Sequence, residues 1–169
     1  MSKISLIIQT LNNEATLPAC LESIKQQSFT NWEAVIIDEG SKDNSLIIAE
    51  KFSHADERIK VALIDKTSKK MLEDIIDKHC TGEFILFVEP NGTLKENALA
   101  DSINLAKATN SDIILFEWLN KTKKGLEPLI IKYKLRNEHR LLVQDILSNR
   151  QPAQLWNKLF KRSLWYGID

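Results

Sequence analysis

The feature that most constrains this chain is a repeat of short apolar runs, each followed by a stretch with helical spacing. Ile4 to Ile8 (ISLII), Trp32 to Asp38 (WEAVIID), Ile59 to Ile64, Phe84 to Val88 and Asp112 to Trp118 (DIILFEW) each read as a strand. The first is continuously apolar, as in strands covered on both faces. Between the strands the spacing changes to that of helices. Leu17, Leu21 and Ile24 make one apolar face, with Asn12 or Asn13 as the N-cap. Ile47, Ile48 and Phe52 make the next, with Asp43 or Asn44 capping. Met71, Leu72, Ile75 and Ile76 make a third, capped by Ser68 and stopped at Gly82. Leu99, Ile103 and Ala106 face inward from a helix over Lys95 to Ala108. Strands alternating with helices at this spacing give βαβ units, a mainly parallel sheet and an α/β fold.

Beyond this core, Leu129 to Leu135 (LIIKYKL) alternates like a half-exposed strand. Glu138 to Asn149 reads as a helix, and Gln154 to Trp165 as a short aromatic-rich helix. At 169 residues the chain suits one domain, 1–169, with a sizeable core. It stops at Gly167-Ile168-Asp169, directly after the aromatic segment. That is an unusual place for a domain to finish, so a longer natural chain is expected.

Lys and Arg total 23, as do Asp and Glu, so the formal net charge is zero. This balance argues against a sequence-blind nucleic-acid binder. No run approaches the roughly 18 apolar residues of a membrane span. Cys20 and Cys80 lack metal-ligand spacing and read as reduced, buried thiols inside helices, which suggests a cytoplasmic location.

The chemistry-bearing residues gather after three strands. The first loop is Thr10-Leu11-Asn12-Asn13-Glu14. The second is Asp38-Glu39-Gly40-Ser41-Lys42-Asp43. The third is Glu89-Pro90-Asn91-Gly92. In an open α/β sheet such loops share the rim where ligands sit. Their carboxylates and glycines suit a base, a ribose or a metal-bound diphosphate, with Mg²⁺ or Mn²⁺ as the oxygen-seeking cation. The same strings are also good turn formers, and the two readings stand side by side.

The N-terminal half, from ISLIIQTLNNEATLPACLESIKQQSF to VIIDEGSKDN, resembles family 2 glycosyltransferases, which have the GT-A fold. Glu22-Ser23-Ile24 to Gln27-Ser28-Phe29 and Asp38 to Asp43 carry most of the likeness. Thr81-Gly82-Glu83-Phe84-Ile85 is similar to the family's lead into its metal-binding DxD strand. Trp156-Asn157-Lys158-Leu159-Phe160-Lys161-Arg162 is similar to a segment of bacterial polysaccharide-type members. The resemblance implies a nucleotide-diphosphate sugar as donor. It also implies a glycan or lipid-linked acceptor, an inverting transfer and a role in bacterial surface polysaccharide or glycoconjugate assembly. Work at the inner membrane face, with peripheral membrane association, goes with that role.

Carried over by position, the resemblance gives Thr10, Asn12, Asp38 and Glu39 to the nucleotide and Glu89 and Asn91 to the metal. Several positions depart from the pattern. Gln9 and Leu11 replace the family Pro and Tyr, Glu39 replaces the second Asp, and Glu-Pro-Asn-Gly replaces DxD. No Arg stands in the segment before the fourth strand, where Lys69 or Lys70 offers a point charge instead. No catalytic base is nominated, because in similar members the acidic candidate follows the Trp156 segment. These departures keep a second reading open, a catalytically silent GT-A-like module that binds a protein, glycan or nucleotide.

Other candidates are weaker. His54, His79 and His139 are scattered and read as ordinary surface or helix-end histidines. No G-x-S-x-G, G-x-G-x-x-G or P-loop pattern occurs. Lys121-Thr122-Lys123-Lys124 reads first as a solvated loop and second as an acceptor or membrane contact. Trp118, Trp156, Trp165 and Tyr166 read first as core and second as a sugar-stacking groove.

Overall fold

The computed structural model describes residues 2–64, 69–115, 118–122, 125–129 and 158–165. In chain order the elements are β1 (Ile4–Thr10), α1 (Leu17–Lys25), β2 (Trp32–Asp38), α2 (Ser45–Ala55), β3 (Ile59–Leu63), α3 (Lys69–His79) and β4 (Phe84–Phe87). Then follow α4 (Ala98–Thr109), β5 (Ile113–Leu115), β6 (Trp118–Thr122), β7 (Gly125–Leu129), β8 (Lys158–Lys161) and a 3-10 turn, Arg162–Leu164. β6 and β7 form an antiparallel ribbon. The other six strands make one sheet in the order β3-β2-β1-β4-β8-β5. β1 pairs in parallel with β2 and β4, and β2 with β3, while β8 runs antiparallel to its neighbours β4 and β5.

This order follows from the sequence pattern. Strands made of Ile, Val and Leu without polar alternation must be covered on both faces. Alternate residues do this. Leu6, Ile8, Ile36, Leu86 and Leu159 pack with α1, α2 and α4 on one face. Ile7, Val35, Ile37, Phe87 and Phe160 pack with α3 and Trp165 on the other. In α1, Pro18 sits in the first turn, where its missing N–H costs nothing, and Lys25 sits in the last. α4 ends on Asn110 at φ +49, the left-handed conformation that Asn tolerates.

The chain walks outward from β1 to β2 and β3, then returns to lay β4 against the other edge of β1. That reversal between β1 and β4 is a topological switch point, the place beside whose C-terminal strand ends open α/β sheets bind ligands. The opposite end of the sheet is closed. There Glu33 accepts hydrogen bonds from Lys3 Nζ (2.7 Å), Ser5 Oγ (2.8 Å), the Gly82 amide (3.2 Å) and both the amide and hydroxyl of Thr81. Burial alone would raise the Glu33 carboxyl. The bonds from Lys3, Thr81 and Ser5 outweigh it and hold the group down at about 2.

Several expectations are corrected. Lys158–Lys161, expected within a helix, is β8. Leu159 and Phe160 point to opposite faces and are both buried. A short apolar run does not by its spacing distinguish strand from buried helix. Ile47 is not inward but half exposed, because the packed face of α2 runs through Ser45, Ala49 and Phe52. α1 begins after Thr16, and α4 begins at Ala98 rather than Lys95. Cys80 lies just past the end of α3 and is buried, as is Cys20 inside α1. Ile113–Leu115 and Trp118 fall in separate strands of different sheets. Ser68, residues 130–135 of the half-exposed strand, the Glu138–Asn149 helix, Trp156 and Tyr166 lie outside the described residues. No helix among the described residues is long and apolar enough to cross a membrane.

Candidate functional site

The three expected loops do meet, at the switch-point rim. β1 and β2 end level, with Thr10 paired to Asp38, while β4 ends at Phe87 opposite Ile7 and Glu89 follows two residues later at the same end of the sheet. The loops are then tied to each other. The Glu39 amide donates to the Thr10 carbonyl at 3.0 Å. Asn12, at φ +54, donates its amide to Ser41 Oγ (3.0 Å) and accepts the Lys42 amide on Oδ1 (2.8 Å). The Glu14 amide donates to Asp43 Oδ2 (3.0 Å), while the Asn44 amide and side chain donate to Glu14 Oε2 (2.9 and 2.8 Å). Short Asn, Asp and Ser side chains can replace backbone partners in this way, which is why such residues fill the rim.

Asp38 is the centre of the rim. It is 2% exposed. Its Oδ2 accepts the amides of Gly40 (3.1 Å) and Ser41 (2.9 Å), closing a turn that Gly40 makes at φ +84. Its Oδ1 is buried and has no hydrogen-bond partner among the described residues. A buried acceptor with no donor carries a desolvation cost of about 1–3 kcal/mol, which a ligand N–H or O–H would remove.

Each remaining candidate has a definite place. Thr10 is buried and donates its hydroxyl to Asn13 Oδ1 (3.1 Å). Glu39 is half-buried, and its Oε1 accepts from Gln9 Nε2 at 3.2 Å. Lys69 is the first residue of α3, which follows β3 and so starts near the same rim. Glu89 is half-buried, and desolvation raises its carboxyl above the usual range. Its backbone carbonyl accepts the Cys20 thiol at 3.4 Å. Burial, with the Glu89 charge beside it, pushes that thiol up to about 12. Asn91 is exposed, and its Oδ1 accepts from Asn13 Nδ2 (3.1 Å) and Thr16 Oγ1 (2.8 Å).

Four residues were not nominated for the site from the sequence. Gln9, Asn13 and Thr16 position the loops, as their bonds above show. Lys158 is 2% exposed and opens β8 at the rim end, since the pairing of Leu86 with Leu159 brings it level with Phe87. Burial lowers its ammonium to about 8. Only pairing would have revealed it, because its segment reads as helical. Trp165 belongs to the core, packed against Phe87 and Phe160 with ring centroids at 5.7 and 6.0 Å.

A family model, Glycosyl transferase family 2, matches residues 5–164. The chain belongs to that family. Its relatives include the cholesterol galactosyltransferase of Borreliella burgdorferi, 28% identical over 175 residues that cover 96% of this chain and 49% of that protein. Another is the poly(ribitol-phosphate) beta-N-acetylglucosaminyltransferase TarS of Staphylococcus aureus, 27% identical over 160 residues, covering 92% of this chain and 28% of TarS. A crystal structure of TarS residues 1-349 with UDP-GlcNAc shares the fold, with a TM-score of 0.68 and 22% identity over 94% of this chain and 45% of that one. The mannosyltransferase PcManGT of Pyrobaculum calidifontis, solved with GDP-Man and Mn²⁺, shares it at a TM-score of 0.59 and 16% identity, covering 68% of this chain and 35% of that one. The family 2 chain described here thus spans about half, or less, of the length of these relatives. The expected GT-A architecture is the one found.

Proposed function

We propose that the chain is the donor-binding part of a glycosyltransferase that moves a sugar from a nucleotide-diphosphate sugar to an acceptor hydroxyl. The acceptor would be a glycan or lipid-linked glycan of bacterial surface polysaccharide or glycoconjugate assembly. The observation that carries this reading is the buried Oδ1 of Asp38 at the switch-point rim, which has no hydrogen-bond partner among the described residues. It asks for a donor, and a base or ribose supplies one. Family membership, and the donor complexes of TarS and PcManGT, favour this over a silent binding module.

In this reading Asp38 and Glu39 hold the base and Thr10 and Asn12 fix the loop beneath it. Lys69 offers positive charge to the diphosphate. The acceptor oxygen displaces the diphosphate at the anomeric carbon, inverting it, and the acceptor proton passes to a base outside the residues assigned here. A divalent cation fits the rim in part. Mg²⁺ or Mn²⁺ commonly takes one or two carboxylates and completes its shell with substrate phosphates and water. Glu89 offers such a carboxylate, whereas Asn91 would join only by giving up one of its two hydrogen bonds. When bound, the cation would offset charge on the leaving diphosphate.

The test is Asp38→Asn. Asn keeps an oxygen for the Gly40–Ser41 turn but puts an amide where an acceptor is needed. Nucleoside diphosphate affinity should fall at least about tenfold with little change in unfolding midpoint. Unchanged affinity would refute the assignment of Asp38.

A further inference from the structure

Asn13 lies in the first rim loop and is half-buried. Its side-chain amide is used at both ends. Oδ1 accepts the Thr10 hydroxyl and the Leu11 amide, each at 3.1 Å, and Nδ2 donates to Asn91 Oδ1 at 3.1 Å. The Leu11 N–H can only donate, so it settles which end of the side chain is the oxygen and leaves Nδ2 facing Asn91. The backbone is held as well. The Asn13 amide donates to Oγ of the fully buried Ser45 at 2.7 Å, and its carbonyl accepts the amides of Thr16 and Leu17 at the start of α1. One residue thus ties together the end of β1, the start of α2 and the loop after β4.

The turn on the far side, Glu89-Pro90-Asn91-Gly92, is closed by its own bond, from the Gly92 amide to the Glu89 carbonyl at 3.0 Å. Among the described residues, the side-chain bonds that fasten it come from the first loop and α1. Asn13 Nδ2 and Thr16 Oγ1 donate to Asn91 Oδ1, and the Cys20 thiol donates to the Glu89 carbonyl. An amide oxygen has two lone pairs, and on Asn91 both are taken.

We propose that Asn13 is a positioning residue that couples the two halves of the site, holding the turn that presents Glu89 in place relative to Thr10 and Asp38, with Asn91 as its anchor and not as a cation ligand. This rests on the nucleotide-diphosphate reading above. Base and diphosphate belong to one ligand and bind best where the two halves of the site are already set at the right separation. Asn suits the post because a short amide carries one acceptor group and one donor group. Ala offers neither, and a carboxylate only accepts.

The test is calorimetric titration of UDP and GDP, each with and without Mn²⁺, into the wild type, Asn13→Ala, Asn91→Ala and the double variant, with unfolding midpoints measured alongside. The quantity read is the Mn²⁺ gain, the ratio of affinities with and without the ion. Each single variant should cut that gain by about threefold to tenfold, and the double variant should lose no more than either single one. Should Asn13→Ala not fold, Thr16→Val removes the other donor to Asn91 and takes its place in the cycle with the same expectation. A full gain in Asn13→Ala, or losses that multiply in the double variant, would overturn the inference, the second result making Asn91 an independent ligand. Nucleotide binding with no Mn²⁺ gain in the wild type would also overturn it while leaving the nucleotide reading intact. Failure of the folded wild type to bind either nucleotide would remove that reading, and this inference with it.

Discussion

Gly82 has no room for a side chain. A Cβ there would lie 2.6 Å from Ser5 Oγ, 2.7 Å from the Ser5 amide nitrogen and 2.9 Å from the Lys3 carbonyl oxygen. Two of these are backbone atoms that cannot swing aside. Gly82→Ala should therefore destabilise the fold by about 1–3 kcal/mol, read from the urea midpoint. The same close approach lets the Gly82 amide reach Glu33. Because the Glu33 carboxyl is held at about 2, against an ordinary 4.5, the unfolded chain binds protons that the native chain refuses. Its stabilisation is complete above about pH 4.5 and is lost as pH falls through about 2. Glu33→Gln should lower stability at neutral pH and flatten that acid limb in urea titrations at stepped pH. Thr81-Gly82 was legible in the sequence as a stop signal and as part of a family-like string. Its purpose was not, since it depends on Glu33, a residue distant in sequence that only the pairing of β1 with β2 and β4 brings near. Asp38 and Glu39 were legible as rim residues from the strand that precedes them. Gln9, seen only as a departure from the family pattern, became interpretable once its neighbour across the strands was known.

Among elements, β8 decides the most. Inserted antiparallel between β4 and β5, it completes both faces of the sheet at once. Leu159 enters the α1–α4 face and Phe160 the α3 face, stacked on Phe87 at 6.2 Å. Leu159 is fully buried, so Leu159→Ala should cost about 2–5 kcal/mol, measured by chemical denaturation. A helical segment, as its spacing alone suggests, would not couple to β4 in this way. β1 to β4 were legible because each is an apolar run between clear turn residues, at helix-length separations. β8 was not, because a four-residue strand bounded by Lys at each end carries too little pattern. The same limit explains Ile47. Its apolar character suggested the buried face of α2, while the direction of that face is set by where Ala49 meets the sheet.

For the molecule as a whole, the sheet has one locked end and one open end. The locked end is neutralised internally by Lys3 and Glu33. The open end gathers Asp38, Glu39 and Glu89 around the switch point, with Lys158 buried at its margin. A rim so rich in acceptors suits a ligand that brings donors on its base and a cation with its diphosphate. Glu89 contributes to the cation alone in this account, so Glu89→Gln should weaken the metal-dependent part of nucleotide binding and spare the rest. The measurement that tests the central claim most directly is calorimetric titration of UDP, GDP and CDP with and without Mn²⁺. Saturable binding of at least one diphosphate, strengthened by Mn²⁺, is expected. No binding at millimolar nucleotide by a folded sample would contradict it and leave the rim a set of turns.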